Sequence, residues 1–401
     1  MAIVSISKLL LVMFGLIALL LGGLTNYRNG ARSVVGFSSR LAGFWTPAVV
    51  LTAVFAFSIS LLWTLAPDAD ALGSVAKYGK LITIVLMLGL IQNQREAQIA
   101  LSAFILAQAF LLASSWMLYF NMPVPWATSN MAGLQFAVFS TYLDQGIMGA
   151  VLAALCWHLR SLAPGRFGPH VAVAVAAVAM GNVLFVLSGR SGHVVAIALL
   201  SLAIMWKLPR RLRLVAIAIP FVLVFVLFLS STKFRERLVM VKTEVASYSI
   251  EVEPTTSSGI RLGLWRRAVQ IIAENPVGGA GVGAWSTEYN RLQKNQKPAH
   301  VDIAGNGNPH QEYLLWGVQL GIPGVALFCG LLLAGWRDSI RMKQVHAHAL
   351  QSTVVALAIA CAFNSSNYDA LIGDFFCVLL GLLLALGSSR FSDPQKKEVP
   401  T

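Results

Sequence analysis

The sequence predicts an all-α, polytopic integral membrane protein with eleven to twelve transmembrane helices and one large, partly helical loop outside the membrane. Three observations carry that reading. Of 401 residues, 57% are apolar and 12% are charged, against roughly 25% charged in a typical soluble domain. The mean hydropathy is +0.70. The apolar residues also gather in runs close to the ~20 residues a helix needs to cross a bilayer. A soluble globular enzyme and a disordered chain are both excluded.

Eleven runs read as spans: 7–24, 45–65, 78–92, 97–120, 146–160, 171–188, 193–208, 213–231, 312–336, 348–364 and 371–389. The first resembles a signal peptide. Further spans follow it and no small-residue cleavage site appears, so it reads as a retained helix. Segment 29–44 carries Arg32 and Arg40 and is too polar to assign; it decides between eleven and twelve spans. Segment 130–145 is mildly apolar and reads as a re-entrant or interfacial helix. Cys156, Cys329, Cys361 and Cys377 all lie inside apolar runs, where they serve as small hydrophobes and imply no disulfide framework.

The loops sort by charge. Basic residues occupy loop 161–170 (Arg166, with Arg160 at its edge), loop 207–213 (Lys207, Arg210, Arg211, Arg213), loop 337–347 (Arg337, Arg341, Lys343) and the tail (Arg390, Lys396, Lys397). These alternate along the chain as loops on one side of a membrane must, which assigns them to the cytoplasm. The same rule accounts for the net charge of +13. No nucleic-acid partner is therefore expected; membrane lipids are. Loops 121–145, 189–192 and 232–311 then face the other side. The chain divides into N-terminal helices (1–231), a large loop domain (232–311), C-terminal helices (312–389) and a tail (390–401).

The large loop holds ten Lys/Arg and seven Asp/Glu, a mildly basic composition for a folded cap. Within it, 259–274 reads as a helix with Ile260, Leu264, Ala268, Ile271 and Ile272 on one apolar face. Ser257 or Ser258 suits its N-cap, and Asn275-Pro276 with the following glycines stops it.

Three positions could carry chemistry. Arg190 sits in Ser188-Gly189-Arg190-Ser191-Gly192-His193, in a tight turn at the outer boundary. An arginine at a helix end can simply snorkel to headgroups. The outer side does not call for arginine, however, and the small neighbours leave the backbone open to a ligand. Arg261 lies near the start of the loop helix, where free N–H groups and the dipole attract anions. Arg266 follows about 140° further round the helix, so the two cannot point the same way; solvent or lipid headgroups are its alternative partners. His310 lies in Asn308-Pro309-His310-Gln311-Glu312-Tyr313, where the large loop re-enters the membrane. A histidine there suits proton transfer near neutral pH, or else a hydrogen bond at a helix start. His193 and His300 are its rivals on the outer side; His158, His170, His346 and His348 fall on the cytoplasmic side.

Other patterns are weaker. Gly279-Ala280-Gly281-Val282-Gly283 looks like a phosphate loop but lacks the preceding strand and the lysine-bearing helix. It reads as a turn that lets segments pack closely. Asp68-Ala69-Asp70 is a possible metal pair on the outer side, with two solvated acids near a helix cap as the plainer reading. Asp369 and Asp374 would suit a proton path, but a lone pair of acids is thin evidence for a transporter. Two arginines and a histidine on one face instead suggest group transfer from a membrane-bound phosphate donor. The planar guanidinium fork binds phosphate bidentately, and imidazole accepts the proton of an attacking hydroxyl.

SGR between two spans, then GIRLGLWRRAVQIIAENPVGGAGVGAW, then NPHQEYLLW opening a span, resembles the O-antigen ligase and polymerase family of bacterial envelopes. The layout of spans, late large loop and basic cytoplasmic loops is similar too. The sequence departs at Gln311, where the family commonly has Asn. The resemblance implies a multi-span fold like that of other lipid-donor (GT-C) glycosyltransferases, in the inner membrane with its site facing the periplasm. It implies an O-antigen polysaccharide donor on undecaprenyl diphosphate and a sugar hydroxyl of lipid A-core as acceptor, with no cofactor and no divalent metal. On the matching positions Arg190 and Arg261, with Arg266 beside them, would hold the diphosphate, and His310 would be the general base of an inverting displacement. A polymerase of the same family is the nearest alternative, followed by a protein O-glycosylating transferase. A transporter or flippase for an anionic lipid is the alternative from another class; it would usually show paired halves or broken helices at the midplane.

Overall fold

The computed structural model describes residues 40–130, 132–212, 218–230, 232, 235–236, 257–294 and 307–388. Among these residues the regular structure is helical throughout, with no strand. The helices are α1 (Thr46–Ile59), α2 (Asp68–Gly79), α3 (Ile82–Leu90), α4 (Gln94–Tyr119), α5 (Tyr142–His158), α6 (Gly168–Gly181), α7 (Arg190–Lys207), α8 (Ile219–Ser230), α9 (Ser257–Glu274), α10 (Trp285–Lys294), α11 (Glu312–Ile340), α12 (Gln344–Phe363) and α13 (Ala370–Gly387). Seven segments of the described chain are long and apolar enough to cross a membrane: α2 with α3, α4, α6 with the π-turn after it, α7, α11, α12 and α13. A shorter apolar helix covers Thr46–Leu62. This is a polytopic membrane protein.

Sequence and structure differ mainly at helix ends. The run at 146–160 becomes a helix that begins at Tyr142, because Thr141 accepts a hydrogen bond from the Asp144 N–H and caps it. The run at 193–208 begins at Arg190. The run at 78–92 is the second half of a bent pair, α2 and α3. In 130–145 the only helical structure before Tyr142 is one four-residue turn, Ala132–Gln135, among the described residues. Ser257 and Ser258 are already helical, so neither is the N-cap of α9. The span at 7–24 lies outside the described residues, as does nearly all of 29–44.

Burial differs widely among the spans and does not track their hydropathy. Leucine-rich α13, whose one charged residue is Asp374, is the most buried span, with α12 next; α4 is the least buried. Small residues set the closest crossings. A Cβ on Gly192 of α7 would lie 2.9 Å from the Gly146 Cα of α5, so the two backbones touch where both lack side chains.

The ends of the bundle are chemically distinct. At one end His158, Trp206 and His348, from α5, α7 and α12, cluster: the Trp206 and His348 rings stack 4.0 Å apart and His158 meets both edge-on. At the α1–α11 contact, the Asp338 carboxylate accepts from the Trp45 and Thr46 N–H groups, and Arg337 lies over the Trp45 ring. These places adjoin the basic loops 161–170, 207–213 and 337–347. Since α12 runs opposite to α5 and α7, its last residues lie with the first residues of those helices. The other end therefore holds the start of α5, Arg190, His310 and the 364–369 turn.

The cap is tied to the bundle by a break in α11. Gly321 has φ 71° and ψ −159°, and Pro323 follows it inside the helix. Pro323 has no N–H for the Gln319 carbonyl. Gly281 N–H donates to that carbonyl instead (3.0 Å), and Ala280 N–H donates to the Val318 carbonyl (2.8 Å). The Ile322 N–H, released from Val318, donates to the Pro276 carbonyl at 2.7 Å. Groups freed by the kink are thus paired across the cap interface, as burial demands. The predicted apolar face of α9 meets α11, with Leu264, Ala268 and Ile271 buried.

Candidate active site

The stretch around His310 is built by short polar side chains. The His310 N–H donates to Asn308 Oδ1 at 2.8 Å, which closes a turn and leaves His310 at φ 52°, a left-handed conformation uncommon outside glycine though more accessible to histidine than to most residues. Gln311 caps α11, its Oε1 accepting from the Leu314 N–H at 2.6 Å. The Gln311 departure from the family pattern therefore keeps a capping function.

Glu312, in the first turn, is fully buried. Its carboxylate accepts from Trp316 Nε1–H (2.8 Å) and from the N–H groups of Asn367 (3.1 Å) and Tyr368 (3.0 Å). Those bonds pin the turn between α12 and α13 beside His310. Lys80 Nζ donates to the Tyr368 and Asp369 carbonyls (3.2 and 2.6 Å), and Tyr368 Oη shares a hydrogen bond with Ser74 Oγ (2.9 Å). Lys77 Nζ lies 4.2 Å from the Tyr368 ring centre.

The pinned turn delivers two side chains in series. Asn364 Oδ1 is 3.1 Å from His310 Nδ1, and Asn364 Nδ2 donates to Asp369 Oδ2 at 3.1 Å. Burial holds the imidazole pKa below its usual value, the Asn364 bond opposes this, and the nearby Arg261 charge lowers it further. Burial and the neighbouring Asp144 push Asp369 up to about 6, against the pull of Lys80 and Asn364.

The sequence-predicted residues divide as follows. The structure brings Arg261, half-buried on α9, into electrostatic range of His310. It places Arg190 as the first residue of α7, at the same end of the bundle. Its glycine neighbours are not open to a ligand: a Cβ on Gly189 would lie 3.1 Å from the Tyr142 carbonyl, and Gly192 packs on Gly146. That corrects the expectation of an open backbone; the glycines serve packing against α5. Arg266 is exposed. Arg267 lies 5.1 Å from the Tyr289 ring centre.

The rivals are accounted for. His193 is buried, with Nδ1 2.7 Å from the Gly189 carbonyl and Nε2 3.3 Å from the Leu184 carbonyl, as a structural histidine would be. His300 lies outside the described residues. In the 279–283 glycine run every N–H is engaged, by Asn275 O, Val318 O, Gln319 O, Ser60 Oγ and Gln319 Oε1 in turn. No donor is left to cradle a phosphate, and the run is the close-packing turn that its sequence suggested. Asp68 and Asp70 occupy the exposed first turn of α2, where the helix dipole favours acids. Among the described residues no three His, Cys, Asp or Glu side chains gather as a metal site would need.

Glu312 and Asn364 were missed by sequence reasoning. One signal was available: Asn364-Ser365-Ser366-Asn367-Tyr368-Asp369 is a wholly polar run between two apolar spans, without a basic residue.

The sequence model of the O-antigen ligase family matches residues 175–329. A comparison with curated proteins returned no match. Among solved structures, a chain described in "Structural coordination of polymerization and crosslinking by a peptidoglycan synthase complex" is similar at 16% identity. That likeness has a TM-score of 0.47 and covers 88% of this chain and 100% of the other. The family match takes in Arg190, Arg261, Arg266, the glycine turn and His310 together. Over residues 175–329, then, this chain is similar to the O-antigen ligase family.

Proposed function

We propose that this protein is a metal-independent, inverting glycosyltransferase of the ligase type. It moves an O-antigen polysaccharide from undecaprenyl diphosphate to a sugar hydroxyl of lipid A-core, at the periplasmic face of the bacterial inner membrane. The observation that carries the reading is the seating of His310 where the loop meets the bundle: Asn308 holds its backbone and Asn364 its ring, with Arg261 in electrostatic range. Burial first, and the Arg261 charge after it, keep the imidazole neutral and able to accept a proton. The same cation stabilises charge on a departing diphosphate.

In the displacement, His310 takes the proton of the acceptor hydroxyl. The hydroxyl oxygen bonds to the anomeric carbon, and the bond from that carbon to the diphosphate oxygen breaks. The electron pair leaves with the diphosphate, which Arg190 and Arg261 hold. Arg266, exposed further along α9, is the outer contact of the clamp.

The test uses purified protein in vesicles with lipid-linked donor and lipid A-core. His310→Gln, Arg190→Ala and Arg261→Ala are each expected to lower transfer at least about a hundredfold at normal protein level. Arg266→Ala is expected to cost under about tenfold. Excess EDTA is expected to leave the rate unchanged. Full activity of His310→Gln would overturn the base assignment. In cells lacking the protein, long polymer should accumulate on the lipid carrier. Lipid A-core bearing a single repeat unit would point instead to the polymerase.

A further inference from the structure

The Asn364 side chain is held at both ends, and that decides which nitrogen of His310 carries the proton. Asn364 Nδ2 lies against Asp369 Oδ2, and Asn364 Oδ1 lies against His310 Nδ1, both at 3.1 Å. An amide can be turned end for end. Turned here, it would set its oxygen against a carboxylate oxygen. The ionised carboxylate accepts only, so the amide nitrogen must face it. The amide oxygen then faces Nδ1, and it too only accepts. Nδ1 must therefore be the protonated nitrogen, and the lone pair falls on Nε2. A histidine side chain free in water favours the opposite tautomer, with the proton on Nε2.

We propose that Asn364 is a positioning residue that, oriented by Asp369, holds His310 as the Nδ1–H tautomer and so presents Nε2 as the proton acceptor. The turn is built for this. Glu312 and Lys80 fix the backbone at 367–369 from both sides. His310 itself is locked at φ 52° by Asn308. A backbone held in so sparsely populated a region marks an over-determined site. The charged and titratable groups acting on His310 are Arg261 on α9 and, through Asn364, Asp369. Behind Asp369 stand Asp144 of α5 and Lys80.

The inference rests on the transferase reading only for its catalytic consequence; the tautomer itself can be observed without activity. The experiment is nitrogen NMR of histidine-labelled protein in nanodiscs at alkaline pH, with His310→Gln identifying the His310 signals. Wild type is expected to show the Nδ1–H tautomer. Asn364→Leu is expected to shift His310 toward Nε2–H, and the exchange of Asn364→Asp together with Asp369→Asn, which keeps an acceptor oxygen on Nδ1 and an amide beside it, to restore Nδ1–H. Asp369→Asn, which tolerates either amide orientation, is expected to give a mixture. An Nε2–H tautomer in wild type, or no change in Asn364→Leu, would overturn the proposal.

Transfer assays supply the second readout. Asn364→Leu is expected to lower kcat at least about tenfold while the donor KM stays within about threefold. The paired exchange Asn364→Asp with Asp369→Asn should recover most of kcat and move the acid limb of the pH profile upward, since a carboxylate on Nδ1–H favours the imidazolium. If His310→Gln is silent as well, the transferase reading has failed while the tautomer result stands. If His310→Gln is inactive and Asn364→Leu has normal kcat, the positioning role alone has failed.

Discussion

Asp369 carries its charge where the fold disfavours it. Its pKa rises from 3.8 to about 6, by burial first and then by the neighbouring Asp144. Between those values the folded chain holds a proton that the unfolded chain has released, so stability falls as pH rises through that window and stays lowered above it. Asp369→Asn removes the cost and is expected to stabilise the protein at neutral pH by about 1–3 kcal/mol, allowing for partial exposure. The gain should vanish below about pH 4 in thermal unfolding. A lower Tm at neutral pH would show that the carboxylate holds the turn rather than straining it. The same substitution is expected to lower transfer, the usual exchange at a functional residue. Arg261 and His310 were legible in the sequence because each stands out locally, one near the start of a loop helix and one where a loop meets a span. Asn364 and Glu312 were not. Their roles depend on partners 54 and 55 residues away in sequence, and no local pattern announces such a bond.

At the scale of elements, hydropathy finds spans but trims their polar ends. Tyr142 to Gln145 belong to α5 because Thr141 caps the helix and the polar side chains find partners within the fold: Ser140 Oγ donates to Asp144 Oδ2, and Gln145 bonds the Phe136 and Val138 backbones. A window average counts such residues only as polar. The break in α11 has the same character. Gly321 and Pro323 are visible in the sequence, yet the extended glycine run that pairs with the freed groups comes from the cap. Gly281 tests this join. It sits at φ 87°, and an added Cβ would lie 2.3 Å from the Thr64 Cα, which is backbone and cannot step aside. Gly281→Ala is therefore expected to destabilise by about 3 kcal/mol or more. It should also reduce transfer by displacing the cap that carries Arg261. A Tm within a degree or two of wild type would show that cap and bundle are not joined there.

At the scale of the molecule, the decisive feature is that two kinds of chemistry occupy opposite ends of one helical bundle. The basic loops were assigned to one side from charge alone. The cluster of His158, Trp206 and His348 shows independently that three of the helix ends beside those loops meet. Arg190, His310 and the 364–369 turn lie at the other end, so the charge rule and the packing divide the chain in the same way. The division predicts sidedness. Single cysteines replacing the exposed Asn121 or Thr128 at the candidate end should react with an impermeant maleimide from the periplasm. Cysteines replacing the exposed Ser161 or Lys343 should react only after the membrane is opened. Native background should be low, because Cys156, Cys361 and Cys377 are buried, and Cys329→Ala removes the remaining partly exposed thiol. Labelling of Ser161 and Lys343 but not Asn121 and Thr128 in intact cells would invert the molecule. His310 and Arg261 would then face the cytoplasm, and a periplasmic acceptor would be out of their reach.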